Sequence, residues 1–282
     1  MELKFQNRNN HQYEKLFNEL IENVFGFSFS DWHSLELWDE RYESYSIVEN
    51  NKMLSNVCLF RVNLCINTEN VTAYQLGAVA THTDHRGKGL SREILSQITE
   101  KYPNNLMFLF ANERAVDFYP KFGFKRVYNS LALLPKEIDN PDILGHNLGM
   151  TSDTVKNYLY NGRPLSSQID CLNTQPIVYF HFIMEYKNNI YHIPEIDSMV
   201  VAKQSGDNLF IPYINVPSEI DFDEICKRLP FSGVKTISFG FAPDNLNIDC
   251  SYKKLLSDNE SMFVKGSIEL PNQFVFPALA KT

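Results

Sequence analysis

The stretch that most restricts the fold of this chain runs from Val79 to Ser91 and reads VATHTDHRGKGLS. It joins the end of a strand-like segment to a loop with Gly87 and Gly89, and then to a segment whose apolar residues recur with helical spacing. A strand that enters a helix through a glycine loop is typical of α/β folds. The first N–H groups of a helix lack partners within the helix and carry partial positive charge. The stretch therefore predicts an anion-binding site.

The residue types in the loop favour a phosphate-containing ligand. Gly87 and Gly89 have no side chain to keep a pyrophosphate from the N–H groups, and Arg86 and Lys88 add positive charge. A tight turn with solvated basic residues explains the same letters equally well. Two familiar phosphate motifs do not fit, because Gly89 is followed by Leu90 instead of Lys, and the third glycine of a dinucleotide fingerprint is absent.

The periodicity of the first half predicts a mixed α/β domain, in the order helix, strands, helix, strand, helix, strand. The predicted segments are a helix over 13–24, strands over 45–49, 54–66, 71–81, 106–110 and 125–134, and helices from 90 to about 102 and from 113 to about 123.

A domain boundary is predicted near residue 140, because Pro135 and the polar segment 139–152 resemble a connection. This gives an N-terminal unit, 1–140, and a smaller α/β unit, 141–282. In the second unit strands are predicted over 177–184, 199–202, 209–214, 234–241 and 262–265. The second unit has no glycine loop of its own, so closing a substrate cleft or forming a homodimer contact are its expected roles.

A second informative stretch, Phe108 to Phe124, begins as a buried strand and continues past Asn112, a good helix N-cap, to Tyr119. Taken alone, Tyr119 is more typical of a half-buried core aromatic than of a catalytic residue.

Taken together, the two stretches resemble the GNAT superfamily of N-acetyltransferases. The acetyl-CoA motif of that family corresponds to Arg86-Gly87-Lys88-Gly89-Leu90-Ser91, with Ser91 where Gly or Ala is usual. The next family motif corresponds to Asn112, Ala115, Tyr119 and Gly123-Phe124. The resemblance covers roughly residues 1–135 and implies a GNAT-like mixed sheet with flanking helices. The second unit is compatible with a degenerate copy of that fold, which by itself implies no activity.

The resemblance also implies a mechanism. Val79, Ala80 and Thr81 would bind the pantetheine arm of acetyl-CoA through their backbone, and the loop from Arg86 to Ser91 would hold the pyrophosphate. Asn112, with Ala115 on the same turn, would lie near the cofactor or an ordered water. Tyr119 would protonate the leaving CoA thiolate while the acetyl group passes directly to a primary amine of a small molecule or peptide. The alternative is a non-catalytic module that senses CoA or holds a partner on the same fold.

The general base is open at this stage. His82 and Asp84 are the nearest titratable side chains, although each is more typical of a loop residue. Water is a third candidate. A fourth comes from the resemblance, because two-domain enzymes of the enhanced intracellular survival type insert a C-terminal carboxylate into the active site, and this sequence ends PALAKT.

Composition excludes several other classes. With 26 Lys+Arg against 34 Asp+Glu and no basic cluster, the chain is a poor candidate for binding nucleic acid. Five widely spaced cysteines and isolated histidines predict neither a disulfide framework nor a metal site. No secretory signal or membrane-length apolar run is found, so a cytoplasmic protein without a membrane segment is expected.

Overall fold

A computed structural model describes residues 2–6, 10–216 and 221–282 of the chain. These residues form two mixed β-sheets with helices packed against them, which confirms the predicted mixed α/β class. The helices are α1 (His11–Phe25), α2 (Ser30–Ser34), α3 (Leu90–Lys101), α4 (Asp153–Asn161), α5 (Gln175–His181) and α6 (Phe222–Cys226).

The first sheet contains the strand that leads into the glycine loop. Its eight strands are β1 (Glu2–Gln6), β2 (Tyr42–Glu49), β3 (Lys52–Ile66), β4 (Glu69–Thr81), β5 (Leu106–Ala111), β6 (Lys125–Val127), β9 (Ile169–Leu172) and β15 (Ser261–Lys265). They lie in the order β1-β2-β3-β4-β5-β15-β6, and β9 pairs with β3. β4 and β5 are parallel, as expected for strands joined through a helix, here α3.

Two separate hydrophobic clusters cover the two faces of this sheet. Successive side chains of β3 point to opposite faces of the sheet and so belong to different clusters. Phe60 and Val62 pack with α1, whereas Val57 and Leu59 pack with α3. We call these the α1 face and the α3 face. α1 is held there by an apolar stripe including Leu16, Phe17 and Leu20, with an Asn10 N-cap and a left-handed Gly26 at its end.

The second sheet has seven strands: β7 (Ser130–Ile138), β8 (His146–Asn147), β10 (Ile190–Ile193), β11 (Ser198–Ser205), β12 (Asn208–Asn215), β13 (Val234–Phe239) and β14 (Ser251–Lys254). Their order is β14-β7-β13-β12-β11-β10-β8, with β12 and β13 parallel. β11 and β12 form a hairpin around Gly206-Asp207, which confirms the strands predicted over 199–202 and 209–214.

The two sheets exchange strands across the predicted boundary at residue 140. β7 precedes that residue but belongs to the second sheet, whereas β15 comes from the far end of the chain and lies between β5 and β6 of the first. β9 likewise pairs with β3 from beyond the boundary. Whether 1–140 and 141–282 are independent domains stays a prediction, and the sheets themselves do not divide there.

Three segments differ from the prediction. The expected strand over 125–134 is two strands, β6 and β7, in different sheets. The expected strand over 177–184 is α5 followed by a π-helical turn at Phe182–Tyr186, because Pro176 suits a first helical turn and the run buries Val178, Tyr179 and Phe182 together.

The third difference concerns the segment after Asn112, which is not the predicted α-helix. It forms 3₁₀ turns at Glu113–Ala115 and Tyr119–Phe122. Pro120 lacks the N–H that a continuous α-helix would need, and its ring would clash with the preceding turn. Tyr119 therefore lies in the second 3₁₀ turn, and not on the α-helix that the sequence predicts from 113 to about 123.

We expect a fragment that ends at residue 140 not to fold cooperatively. Without β15, the facing edges of β5 and β6 lose their partner strand, and the buried Met262, Phe263 and Val264 are missing from the first sheet. Removing three buried large side chains costs several kcal/mol, comparable to the whole stability of a domain of this size. Urea unfolding followed by circular dichroism, with the full chain as reference, measures this. A single cooperative transition in the fragment would contradict it.

Candidate active site

β4 and β5 separate near the middle of the first sheet. Their pairing ends at Leu76 opposite Leu109, although β4 continues to Thr81 and β5 to Ala111. A bulge lies just beyond the last pair, where the register with β3 shifts between Gly77 and Ala80 and Ala78 has a φ of +45°. The bulge turns β4 away from β5 and opens a gap between the parallel strands.

Side chains of β3 hold this bulge in place. The Asn56 amide donates to the Ala78 carbonyl at 3.2 Å, and the Ser55 hydroxyl donates to the Ala80 carbonyl at 2.8 Å. Both side chains are fully buried, so their hydrogen bonds are costly to lose. Sequence reasoning missed both residues, since neither belongs to a recognisable motif.

The glycine loop has the conformation that an anion site needs. Gly87 and Gly89 have φ angles of +76° and +81°, and a Cβ on either would meet nothing within 4 Å. The space in front of the loop is therefore open, and α3 begins at Leu90 directly behind it. Within the described part of the chain, no acceptor takes the N–H of Gly87 or Gly89.

Ser91 takes part in a hydroxyl network at the start of α3. Its Oγ lies 2.6 Å from Thr81 Oγ1 and 3.1 Å from Ser55 Oγ. The Ser55 hydrogen is already given to Ala80, so Thr81 and Ser91 supply the two remaining hydroxyl hydrogens. The serine at this motif position thus connects the helix N-terminus to the bulged strand.

Asn112 and Tyr119 lie where β5 ends. The Asn112 side chain caps the first 3₁₀ turn by accepting from the Arg114 N–H at 3.1 Å. Tyr119 is 5 % exposed and packs in the cluster of the α3 face, with its ring near Phe124 and Phe263. Burial raises the pKa of Tyr119 to about 12, so the hydroxyl is protonated at neutral pH. None of the described residues forms a hydrogen bond with that hydroxyl.

A cavity of about 810 Å³ brings most of the predicted site residues together. Those that line it are Val79, Thr81, Arg86, Gly87, Ser91, Asn112, Ala115 and Tyr119. Gly89 and Leu90 line a smaller cavity of about 270 Å³ at the same loop, which shares Arg86 and Gly87 with the large one. Ala80 is buried in the core of the α1 face. Lys88 lines neither cavity and points its ammonium to His85 at 3.3 Å.

The cavity passes through the sheet at the gap between β4 and β5. Val79, Ala115 and Tyr119 belong to the cluster of the α3 face, whereas Ala78 and Phe110 belong to that of the α1 face. All five line the cavity. A molecule bound at the glycine loop and a molecule on the α1 face can therefore meet in the gap.

Neither side-chain candidate for the base reaches this cavity. His82 is buried beside it, and burial, together with the positive charge of Lys52, lowers the pKa of His82. Its Nδ1 accepts from the Asp84 N–H at 3.3 Å, and the Asp84 carboxylate is exposed. Among the described residues that line the cavity there is no Asp, Glu or His. Of the four candidates for the general base, water and the carboxylate of the C-terminal tail remain.

The tail places Thr282 in the gap. The Thr282 hydroxyl donates to the Leu76 carbonyl at 3.2 Å, and a Cβ on Gly77 would lie only 2.6 Å from the Thr282 hydroxyl. Gln75 donates to the Ala280 carbonyl at 3.0 Å, and His181 Nε2 donates to that of Lys281 at 2.9 Å. Gly77 is thus required for close approach of the tail, which the sequence did not indicate.

No group of three or more His, Cys, Asp or Glu side chains with metal-binding geometry occurs in the part of the chain that the structure describes. The helices within the described ranges include none long and apolar enough to cross a membrane. All five cysteines are free thiols.

Comparison with known proteins assigns a family to the segment that builds this site. Residues 8–127 match the family model of the acetyltransferase (GNAT) domain. This segment of the chain is a GNAT domain. The matched segment of this domain includes the bulged strand, the glycine loop and Tyr119, so the sequence-based identification of the family is confirmed, and acyl transfer is the chemistry that this family shares. No curated protein matched the chain significantly.

Solved structures resemble the whole chain in fold, beyond the GNAT domain alone. One is a protein of Enterococcus faecalis V583 described as a probable N-acyltransferase, with a TM-score of 0.60 and 13% identity over 94% of this chain and 72% of that one. Another is a GCN5-related N-acetyltransferase of Kribbella flavida, with a TM-score of 0.57 and 11% identity over 93% and 71%. A third is Eis1 of Mycobacterium abscessus, with a TM-score of 0.58 and 10% identity over 94% and 73%. Identities this low establish a shared fold and nothing about the acceptor.

Proposed function

We propose that this protein is an acetyl-CoA-dependent N-acetyltransferase that passes the acetyl group directly to a primary amine. The observation that carries the proposal is the cavity through the first sheet, which is lined by the glycine loop, the separated end of β4 and Tyr119. We also propose that the protein is located in the cytoplasm.

The residues present fit acetyl-CoA. The open N–H groups of Gly87 and Gly89, at the N-terminus of α3 and beside Arg86, suit a pyrophosphate. Beyond Leu76, β4 has no β5 partner, so the edge of β4 that faces β5 offers the amides of a pantetheine arm those backbone groups that β3 and its Asn56 and Ser55 side chains do not occupy. When bound, acetyl-CoA supplies a thioester carbonyl that an amine can attack.

In the transfer, the amine lone pair forms a C–N bond to the acetyl carbonyl carbon, and the C–S bond breaks. The sulfur leaves with the bonding pair and takes a proton, while the nitrogen loses one. Tyr119 offers its hydroxyl hydrogen to the sulfur, because the hydroxyl is protonated and bonded to none of the described residues. The nitrogen's proton leaves through water or the tail at Thr282, since the described lining residues include no carboxylate or imidazole side chain.

We expect the purified protein to release CoA from acetyl-CoA only when an amine acceptor is present. A thiol reagent measures the free CoA, and mass spectrometry of the acceptor measures the N-acetyl product. The matched control omits the amine and reports thioester hydrolysis. Tight binding of acetyl-CoA without amine-dependent release across a broad panel would instead support the alternative, a non-catalytic CoA-binding module.

A further inference from the structure

The side of the cavity away from the glycine loop is an aromatic chamber. We define it by Phe25 at the end of α1, Phe27 and Phe29 of the α1–α2 connection, Trp32 of α2 and Phe180 of α5, all of which line the cavity. Phe29 and Phe180 stack with ring centroids 5.0 Å apart, and Phe27 lies 5.7 Å from Phe180. Trp32 donates to the Pro176 carbonyl at 2.7 Å, which fixes α5 against α2. Two distant parts of the chain thus build one apolar wall.

The chamber lies across the sheet from the predicted donor residues. Phe27, Phe29 and Phe180 pack against the cluster of the α1 face, whereas Tyr119 belongs to that of the α3 face. A thioester held at the glycine loop reaches the gap from the α3 face, so the attacking nitrogen has to come from the α1 face. The chamber is therefore the part of the cavity that remains for the body of the acceptor.

The charges around the cavity restrict that acceptor. The described lining residues include no acidic side chain, and the only charged side chains among them are those of Arg86 and Arg114. The tail carboxylate at Thr282 is an anion, but it lies in the gap and not among the rings. An ammonium group that enters the apolar chamber loses hydration, and its pKa falls. The chamber thus favours an amine that arrives neutral, and it disfavours a molecule with several ammonium groups, since the tail offers a counter-charge to one of them at most.

On the basis of the proposed function, we infer that the acceptor is a primary amine carried on an aromatic or otherwise apolar body, and not a polyamine or another polycation. The rings of Phe27, Phe29 and Phe180 pack on that body. The nitrogen points through the gap between β4 and β5, towards Thr282 and the Tyr119 side.

The test compares three amines with acetyl-CoA as the donor. They are 2-phenylethylamine, ethanolamine, which has the same two-carbon chain but no ring, and the polyamine spermidine. We expect kcat/KM for 2-phenylethylamine to exceed that for each of the others about 100-fold, the size expected for burying one aromatic ring. Equal or better turnover of ethanolamine or spermidine overturns the inference and leaves the proposed function intact. Absence of CoA release with every amine counts against the proposed function itself.

A Phe180→Asp variant tests the chamber directly, with Phe180→Leu as the apolar control. The carboxylate should lower kcat/KM for 2-phenylethylamine at least tenfold and raise that for spermidine, while leucine keeps the order of the amines. Phe25→Asp, at a position 42 % exposed on the rim, serves if Phe180→Asp does not fold by thermal melting. If these variants change the preference between acetyl-CoA and octanoyl-CoA but not the order of the amines, the chamber holds acyl chains, and the inference is wrong.

Discussion

We expect a Gly89→Glu variant to bind acetyl-CoA more weakly by roughly 3 kcal/mol, or about 150-fold in Kd. No described residue accepts from the Gly89 N–H at the start of α3, and a Cβ on Gly89 would meet nothing within 4 Å. A glutamate there has room to place its carboxylate beside the position proposed for the pyrophosphate and to repel it. The φ of +81° at Gly89 adds strain for any residue with a Cβ. Isothermal titration calorimetry of the folded variant measures the affinity.

Gly206→Glu is the matched control for that experiment. Gly206 also has a positive φ, of +60°, and a Cβ there would meet nothing within 4 Å, but it lies in the β11–β12 turn of the second sheet. The control therefore carries the same added charge and similar backbone strain away from the cavity. An unchanged affinity in Gly89→Glu, or an equal loss in both variants, would remove the glycine loop from the binding site.

The second large effect is expected from Tyr119→Phe, which should lower kcat roughly 100-fold, the low end for loss of a general acid. Phenylalanine keeps the packing against Phe124 and Phe263 but removes the only hydrogen that Tyr119 can give to the leaving sulfur. Because that hydroxyl bonds to none of the described residues, thermal stability and acetyl-CoA affinity should remain near those of the unchanged protein. Steady-state kinetics with a responsive amine, together with a melting curve, measure the two effects.

Tyr179→Phe provides the comparison. The Tyr179 hydroxyl is buried and, like that of Tyr119, has no partner among the described residues, but Tyr179 does not line the cavity. Loss of a buried, unpaired hydroxyl should leave kcat unchanged there. If Tyr119→Phe retains full kcat, Tyr119 is a structural core aromatic, and the glycine loop alone supports the proposed acetyltransferase function.

Burial also bears on how Tyr119 can act. With a pKa near 12, the phenol is a weaker acid than a typical thiol of about 8.5, so complete proton transfer to the thiolate is uphill. A hydrogen bond to the developing thiolate is the form of stabilisation that such a phenol provides most readily. We therefore expect the Tyr119 contribution to kcat to persist at alkaline pH, where a group with an ordinary tyrosine pKa would already ionise.

The sequence by itself determined the local features of the GNAT domain. The glycine loop could be predicted because Gly87 and Gly89 supply positive φ angles that other residues adopt only with strain, and because α3 follows at once. The alternation of β3 and the stripe of α1 likewise follow from short periodicities. The segment after Asn112 is the exception, because Pro120 prevents the continuous α-helix that the spacing predicts there.

Only the tertiary structure decided what completes the site. β15 inserts between β5 and β6, Thr282 reaches Leu76, and Phe180 stacks on Phe29, and in each case the partners are more than 100 residues apart in the chain. No periodic pattern in the sequence indicates these contacts. Each contact depends on how much apolar surface the two distant segments bury together, and not on the secondary-structure preference of either segment. The positive φ angles of the glycine loop are a local property of the sequence, whereas the gap arises only when β3, β4 and β5 pair, and the chamber only when α5 packs against α2.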